Sequence, residues 1–90
     1  MYSVVSPVSR AALEHQVRAL IHQRKGVHMR RLRLSTDLSR ELGFDTVDVV
    51  DVILEVERRF HLTIPDEVPL DTVGDFVRYV DAHWPRAAAA

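Results

Sequence analysis

Residues 45–60 read DTVDVVDVILEVERRF, and the secondary structure of this stretch decides the fold. Its valines suit a strand. Its periodicity does not. On a helical wheel Asp48, Asp51, Glu55 and Arg58 fall on one side, and Val47, Val49, Val50, Val52, Ile53, Leu54, Val56 and Phe60 spread over the rest. A strand would send Asp48 and Asp51 to opposite faces. The length also suits a helix. Asp45 is the expected N-cap, with Asp48 adding negative charge to the first turn. The apolar arc is wider than a surface helix needs. The helix is therefore central, or part of the arc serves a ligand or a partner.

Upstream, the first helix starts between Ser6 and Ser9, with Pro7 tolerated in a first turn. Leu13, Val17, Leu20 and Ile21 recur at helical spacing. Arg24 and Lys25 followed by Gly26 form a basic last turn and a glycine stop, so the helix ends near Lys25. Residues 26–44 make a long connection, in which TDLSREL has room for one helical turn. A loop of this length must be tied down, and Val27, Met29, Leu32, Leu34, Leu38, Leu42 and Phe44 are its anchors.

Downstream, Pro65 and Pro69 leave room for a short turn of helix at most. The last helix, within DTVGDFVRYVDAHW, is capped by Asp71 or Thr72, with Asp75 three residues after Thr72. Val73, Phe76, Val77 and Val80 line one side, Trp84 stands near the end and Pro85 stops it. Gly74 weakens its first turn by roughly 1 kcal/mol relative to alanine. Three substantial helices, a short one and no convincing strand imply an all-α antiparallel four-helix bundle with a long first loop and a short third helix. Residues 1–8 are expected to extend from the bundle, 9–84 to form it, and 85–90 to be a disordered tail.

At 90 residues the chain is one small domain, 47% hydrophobic and 28% charged, a globular composition. No apolar run approaches a membrane span, and the N-terminus lacks a secretory pattern. The absence of cysteine excludes a disulfide framework and a thiol nucleophile. A cytoplasmic monomer is expected. The net charge of −1 hides an asymmetry: residues 1–33 hold seven basic residues against Glu14, and residues 41–57 hold six acids and no base. Opposed fields of this kind concern partners more than fold.

The five histidines, His15, His22, His28, His61 and His83, lack the spacing of a metal set, and surface histidines are the default. Arg30–Arg33, RRLR, with Arg24 and Lys25 nearby, offers phosphate binding in principle. No aromatic platform accompanies it, so nucleic acid is disfavoured; the plainer reading is a solvated loop that pairs with acids elsewhere in the chain. Asp48, Asp51 and Glu55 form an acidic stripe: an ordinary solvated face, or a docking surface for a basic partner. Thr46 sits in the first helical turn, where threonine is common for structural reasons. No nucleophile–base set surrounds it, so an enzyme is not expected. A hydroxyl there is also open to modification by another enzyme, because a helix N-terminus favours a phosphate.

Residues 36–67, TDLSRELGFDTVDVVDVILEVERRFHLTIPDE, resemble the central region of acyl carrier proteins. The D-L-x-x-x-L-G-x-D spacing before the central helix and the later F-x-x-x-I-P-D-E carry the likeness. Gly26–Val27 after the first helix and TVGDFVRYV in the last extend it along nearly the whole chain. Pro69 and a shortened segment before Asp71 depart from the pattern. The resemblance implies a four-helix bundle whose phosphopantetheine arm, installed from coenzyme A by a phosphopantetheinyl transferase with magnesium, holds acyl or ketide intermediates as thioesters. It implies docking of acyl-chain or ketide synthase enzymes, through basic surfaces, on Asp45, Asp48, Asp51 and Glu55, with Val47 and Leu54 as apolar contacts and part of the apolar arc lining an acyl cleft.

The family signature is D-S-L. Here it is Asp45-Thr46-Val47, so the attachment position falls on Thr46; Ser35 and Ser39 do not match the motif. Threonine keeps a hydroxyl but adds a methyl and restricts χ1, so modification is expected to be slower. The alternative is a pseudo-carrier that keeps the docking helix and carries no arm; an unrelated helical interaction module is the third reading.

Overall fold

The computed structural model describes residues 9–83. The expected N-terminal extension and tail, with Ser6, Pro7, Trp84 and Pro85, lie outside the described residues. Three α-helices run Arg10–Lys25 (α1), Thr46–Phe60 (α2) and Val73–His83 (α3), and a 3-10 turn spans Met29–Arg31. The stretch at 45–60 is helical, as its periodicity requires.

Each helix carries its own start and stop. Ser9 caps α1 by accepting from the Ala12 N–H, and Gly26 ends it at φ 72°, a left-handed position that suits glycine. Asp45 and Asp48 close a reciprocal capping box at the start of α2. At the other end His61 takes φ 55°, and its N–H reaches Glu57 O. The Glu57 carboxylate then accepts from Ile64 N at 2.7 Å, which fixes the chain as it leaves the helix. Thr72 Oγ1 accepts from Asp75 N at 3.1 Å and Asp75 Oδ2 accepts from Thr72 N at 3.0 Å, the same device in front of α3.

The core is the meeting of three apolar stripes. Leu13, Val17, Leu20 and Ile21 of α1 are buried, as their spacing predicts. Val52, Val56 and Phe60 of α2 and Val73, Phe76, Val77 and Val80 of α3 complete it. Helix α1 packs against both others. Each large buried side chain contributes about 1.5–3 kcal/mol by leaving water.

The long connection is anchored by Leu32, Leu38 and Phe44, all buried, with Leu42, Val27 and Met29 packed at the edge. Leu34 departs from expectation: it is exposed rather than an anchor. Its backbone does the anchoring instead. Leu34 O accepts from Gly74 N at 2.8 Å, Thr36 O from Val73 N at 3.1 Å, and Leu38 N donates to Asp71 O at 2.8 Å. The first connection is thus stitched to the start of α3, with an isolated antiparallel bridge between Asp37 and Thr72.

The short third helix expected between the prolines is a single turn, closed by Val68 N to Pro65 O at 3.2 Å. An α-helical bond to Pro65 O would have to come from the N–H of residue 69. That residue is proline, which has none, and its ring also pushes Val68 away from helical angles. The described bundle therefore has three α-helices, and the segment 61–72 crosses it as pinned extended chain and turn.

Candidate functional site

Helix α2 places Thr46 at its first helical position, directly after the Asp45 cap. Asp45 Oδ1 accepts from Asp48 N at 2.9 Å and Asp48 Oδ2 from Asp45 N at 3.1 Å. The capping box consumes the third N–H of the helix. The N–H groups of Thr46 and Val47 have no acceptor among the described residues and point along the positive end of the helix dipole. Thr46 is exposed, and its hydroxyl makes no hydrogen bond to a described residue. His61 closes the opposite end of the 15-residue helix, roughly 22 Å away at 1.5 Å per residue. It cannot serve as a base for Thr46. Among the described residues no cluster of three His, Asp or Glu side chains is placed to hold a metal ion.

Thr46 stands on the rim of a cleft of about 540 Å³. Val49, Val50 and Ile53 form its α2 wall. Ile64, Val68 and Leu70, from the segment after α2, form the other. The mouth is polar, with Ser39, Asp45, Asp66 and Asp71 around it. The wide apolar arc of α2 is explained by this division: Val52, Val56 and Phe60 face the core while Val49 and Ile53 face the cleft.

The other part of the arc is unpartnered. Val47 is 74% exposed, Leu54 51% and Val50 44%. Their spacing of three and four residues puts them on one ridge. Val50 was not singled out from the sequence as a contact residue, although its position between Val47 and Leu54 on that ridge is a legible signal.

The acids of α2 do not form a free stripe. Lys25 Nζ stands 2.8 Å from Asp48 Oδ1 and 3.5 Å from Asp51 Oδ2. Arg24 grips Asp51 with two hydrogen bonds, Nε to Oδ2 at 3.0 Å and Nη2 to Oδ1 at 2.9 Å. Glu55 receives Arg58 at 2.7 Å, and Arg24 lies 4.0 Å from its other oxygen. The basic end of α1 thus answers the acidic face of α2, which the sequence left as a solvated face or a docking surface. The hydrogen bond from Lys25, then the backbone N–H of Asp45, holds the Asp48 carboxyl below its ordinary value. The Arg24 hydrogen bond does the same for Asp51. Lys25 and Arg24 are raised in return. Asp45, ahead of this lattice, stays exposed.

The plain reading of the basic loop is also corrected. Arg31 donates to a backbone oxygen, Glu41 O, at 2.9 Å, and Arg30 and Arg33 form no ion pair among the described residues. Asp48 and Asp51 of α2 are taken by the end of α1 instead.

A hydroxyl on a helix N-terminus, free N–H groups beside it and an apolar cleft alongside fit a phosphate-linked arm with an apolar cargo. The Thr46 methyl sits on the same carbon as that hydroxyl. The family model for the phosphopantetheine attachment site matches residues 15–80. The chain is 33% identical over 72 residues to the acyl carrier protein of Helicobacter acinonychis (strain Sheeba), a match covering 78% of this chain and 92% of that protein.

Proposed function

The chain belongs to the acyl carrier protein family, whose members carry a phosphopantetheine group rather than catalyse, and on that premise we propose that Thr46 is the attachment residue of a working acyl or ketide carrier. The observation that carries this reading is the exposed, unbonded Thr46 hydroxyl on the cleft rim. When bound, the arm supplies a terminal thiol that holds the cargo as a thioester.

The residues of the chain do the rest. Thr46 offers its oxygen to the phosphorus of coenzyme A, held by the transferase; a phosphodiester P–O bond forms, the bond to the departing adenosine 3′,5′-diphosphate breaks, and the threonine proton passes to the transferase. The N–H groups of Thr46 and Val47 are free to donate to the new phosphate. Val49, Val50, Ile53, Ile64, Val68 and Leu70 shield an apolar cargo from water. Val47, Val50 and Leu54 present the apolar part of the docking face. Asp45 adds a charge without an ion pair among the described residues, while Asp48 and Asp51 become available to a basic synthase or transferase surface only as it displaces Lys25 and Arg24, and Glu55 only as it displaces Arg58.

One observation favours a second reading. The Thr46 methyl stands beside the attachment oxygen, and a chain that cannot be loaded would act as a docking pseudo-carrier. Incubation with coenzyme A, magnesium and a broad-specificity transferase, followed by intact mass, separates the two. A gain of one phosphopantetheine that disappears in Thr46→Ala supports the carrier. No gain in the natural chain with full conversion of Thr46→Ser supports the pseudo-carrier. No gain in either excludes carriage.

A further inference from the structure

Residues 30–42 build a second concavity that shares no lining residue with the cleft beside Thr46 and is unused by the carrier chemistry. It encloses about 340 Å³ and is lined by Arg30, Arg31 and Arg33, with Ser35 and Thr36 between them and Glu41 and Leu42 opposite. Three arginines therefore share this lining with one acidic residue. That carboxylate is already committed, because Glu41 Oε2 accepts from Asp37 N at 2.9 Å.

The backbone beneath these arginines is fixed. Arg18 reaches out of α1 and donates to Leu32 O at 2.6 Å and Met29 O at 3.0 Å. Thr36 is 3% exposed. Its hydroxyl accepts from Arg33 N at 2.9 Å and donates to Arg31 O at 2.8 Å. Leu32, fully buried, plugs the segment into the core. Arg31 spans the concavity to Glu41 O at 2.9 Å and ties its two rims together.

Arg30 and Arg33 stand exposed on this pinned frame without an ion pair among the described residues. Five basic groups elsewhere are paired, Arg24 and Lys25 with α2, Arg58 with Glu55, Arg78 with Asp75 and Arg10 with Asp81. Arg40 and Arg59 are exposed like Arg30 and Arg33, but among the described residues neither shares a concavity with two further arginines. Guanidiniums are the side chains best matched to phosphate oxygens, to which they donate paired hydrogen bonds. A rigid frame lowers the ordering cost of binding.

We propose that the Arg30–Arg31–Arg33 concavity is an anion site that takes a phosphate monoester group. Arg30 and Arg33 supply the main charge, Arg31 a further donor, and Ser35 a hydroxyl. The site is independent of whether Thr46 is loaded. Its Leu42 rim lies four residues before Thr46, at most about 14 Å of extended chain.

Amide chemical shifts of the full chain at low ionic strength, titrated with inorganic phosphate and with glycerol 3-phosphate, test the site; glycerol is the blank. The expected result is saturable movement of amides at 30–36 and 41–42. Binding should weaken about tenfold or more, the loss of at least one charge-assisted contact, in Arg30→Gln/Arg33→Gln. It should be unchanged in Arg59→Gln, an exposed arginine elsewhere on the surface. Equal affinity for both probes assigns the phosphoryl group alone as ligand, and tighter glycerol 3-phosphate assigns an organic monoester; both sustain the site. Equal weakening by Arg59→Gln, or no localised shift at about 10 mM of either probe, overturns it. So does tighter binding of a single-stranded oligonucleotide with a footprint spread over Arg40 and Arg59, which would mark a nucleic-acid surface instead. Neither Arg30 nor Arg33 holds the fold through its side chain, so an unchanged melting temperature in the double variant ties the lost binding to the guanidiniums.

Discussion

Lys25 Nζ lies 2.8 Å from Asp48 Oδ1 and 5.9 Å from the centre of the Phe44 ring. One ammonium thus joins the end of α1, the last anchor of the long connection and the first turn of α2. It stands next to the capping box at Asp45 and Asp48, so part of the basic half of the chain meets part of the acidic half there.

That lattice has a pH signature. Asp48 and Asp51 titrate lower in the folded chain than in the unfolded one. A depressed carboxylate stabilises the fold fully above its unfolded value, about 3.9, and loses that contribution as pH falls through the folded value. Lys25, raised, stabilises below its unfolded value, about 10.4, and loses its contribution as pH climbs through the folded one. Melting temperatures from about pH 6 down to pH 2 should therefore fall steeply in the natural chain. Asp48→Asn/Asp51→Asn should show a flatter profile, with residual slope from Asp75, where burial raises the carboxyl but the N–H groups of Thr72 and Asp71 together with Arg78 bring it below its ordinary value. Identical slopes would remove the lattice from the account.

Salt and charge should also tune docking. Replacing Lys25 by methionine frees Asp48, so association with a basic partner surface should become faster at low salt and more sensitive to ionic strength. Stopped-flow association with a transferase, compared between about 20 and 300 mM salt, reads this.

Gly74 permits a close backbone approach. A Cβ added there would sit 2.9 Å from Leu34 O, the oxygen that accepts from Gly74 N. Alanine gains roughly 1 kcal/mol in helix propensity. The clash with a pinned backbone should outweigh it, at about 1–3 kcal/mol. Chemical denaturation of Gly74→Ala should give a net loss of stability.

His61 is the one non-glycine residue with positive φ among those described. Its side chain is exposed, and an L-residue in that region costs about 1–2 kcal/mol. His61→Gly should therefore raise the denaturation midpoint by about 1 kcal/mol in stability after the extra unfolded-state entropy of glycine is subtracted.

Much of the fold is legible in local pattern. The stripe Leu13–Val17–Leu20–Ile21, the Asp45 cap, the Gly26 stop and the Thr72–Asp75 exchange are all where spacing and capping chemistry put them. Their interactions run over a few residues, so one sequence window contains them. What escaped is non-local. The stitch of Leu34 and Thr36 to Gly74 and Val73, and the grip of Arg24 on Asp51, join groups separated by tens of residues. Burial of one carbonyl by a distant N–H leaves no periodic trace. The single turn between Pro65 and Pro69 keeps to the limit the two prolines set in the sequence, because Pro69 lacks the N–H that Pro65 O would need for a further helical bond. Thr46, Val47 and Leu54 stand exposed, but Asp48 and Asp51 beside them are paired, and that pairing depends on the packing of α1 on α2.

The most direct test of the account is fragmentation mass spectrometry of the natural chain after reaction with coenzyme A, magnesium and a broad-specificity transferase. The account predicts one added phosphopantetheine, mapped to Thr46. A chain that stays unmodified at Thr46 under conditions that fully convert Thr46→Ser, or a group mapped to Ser35 or Ser39, would contradict it.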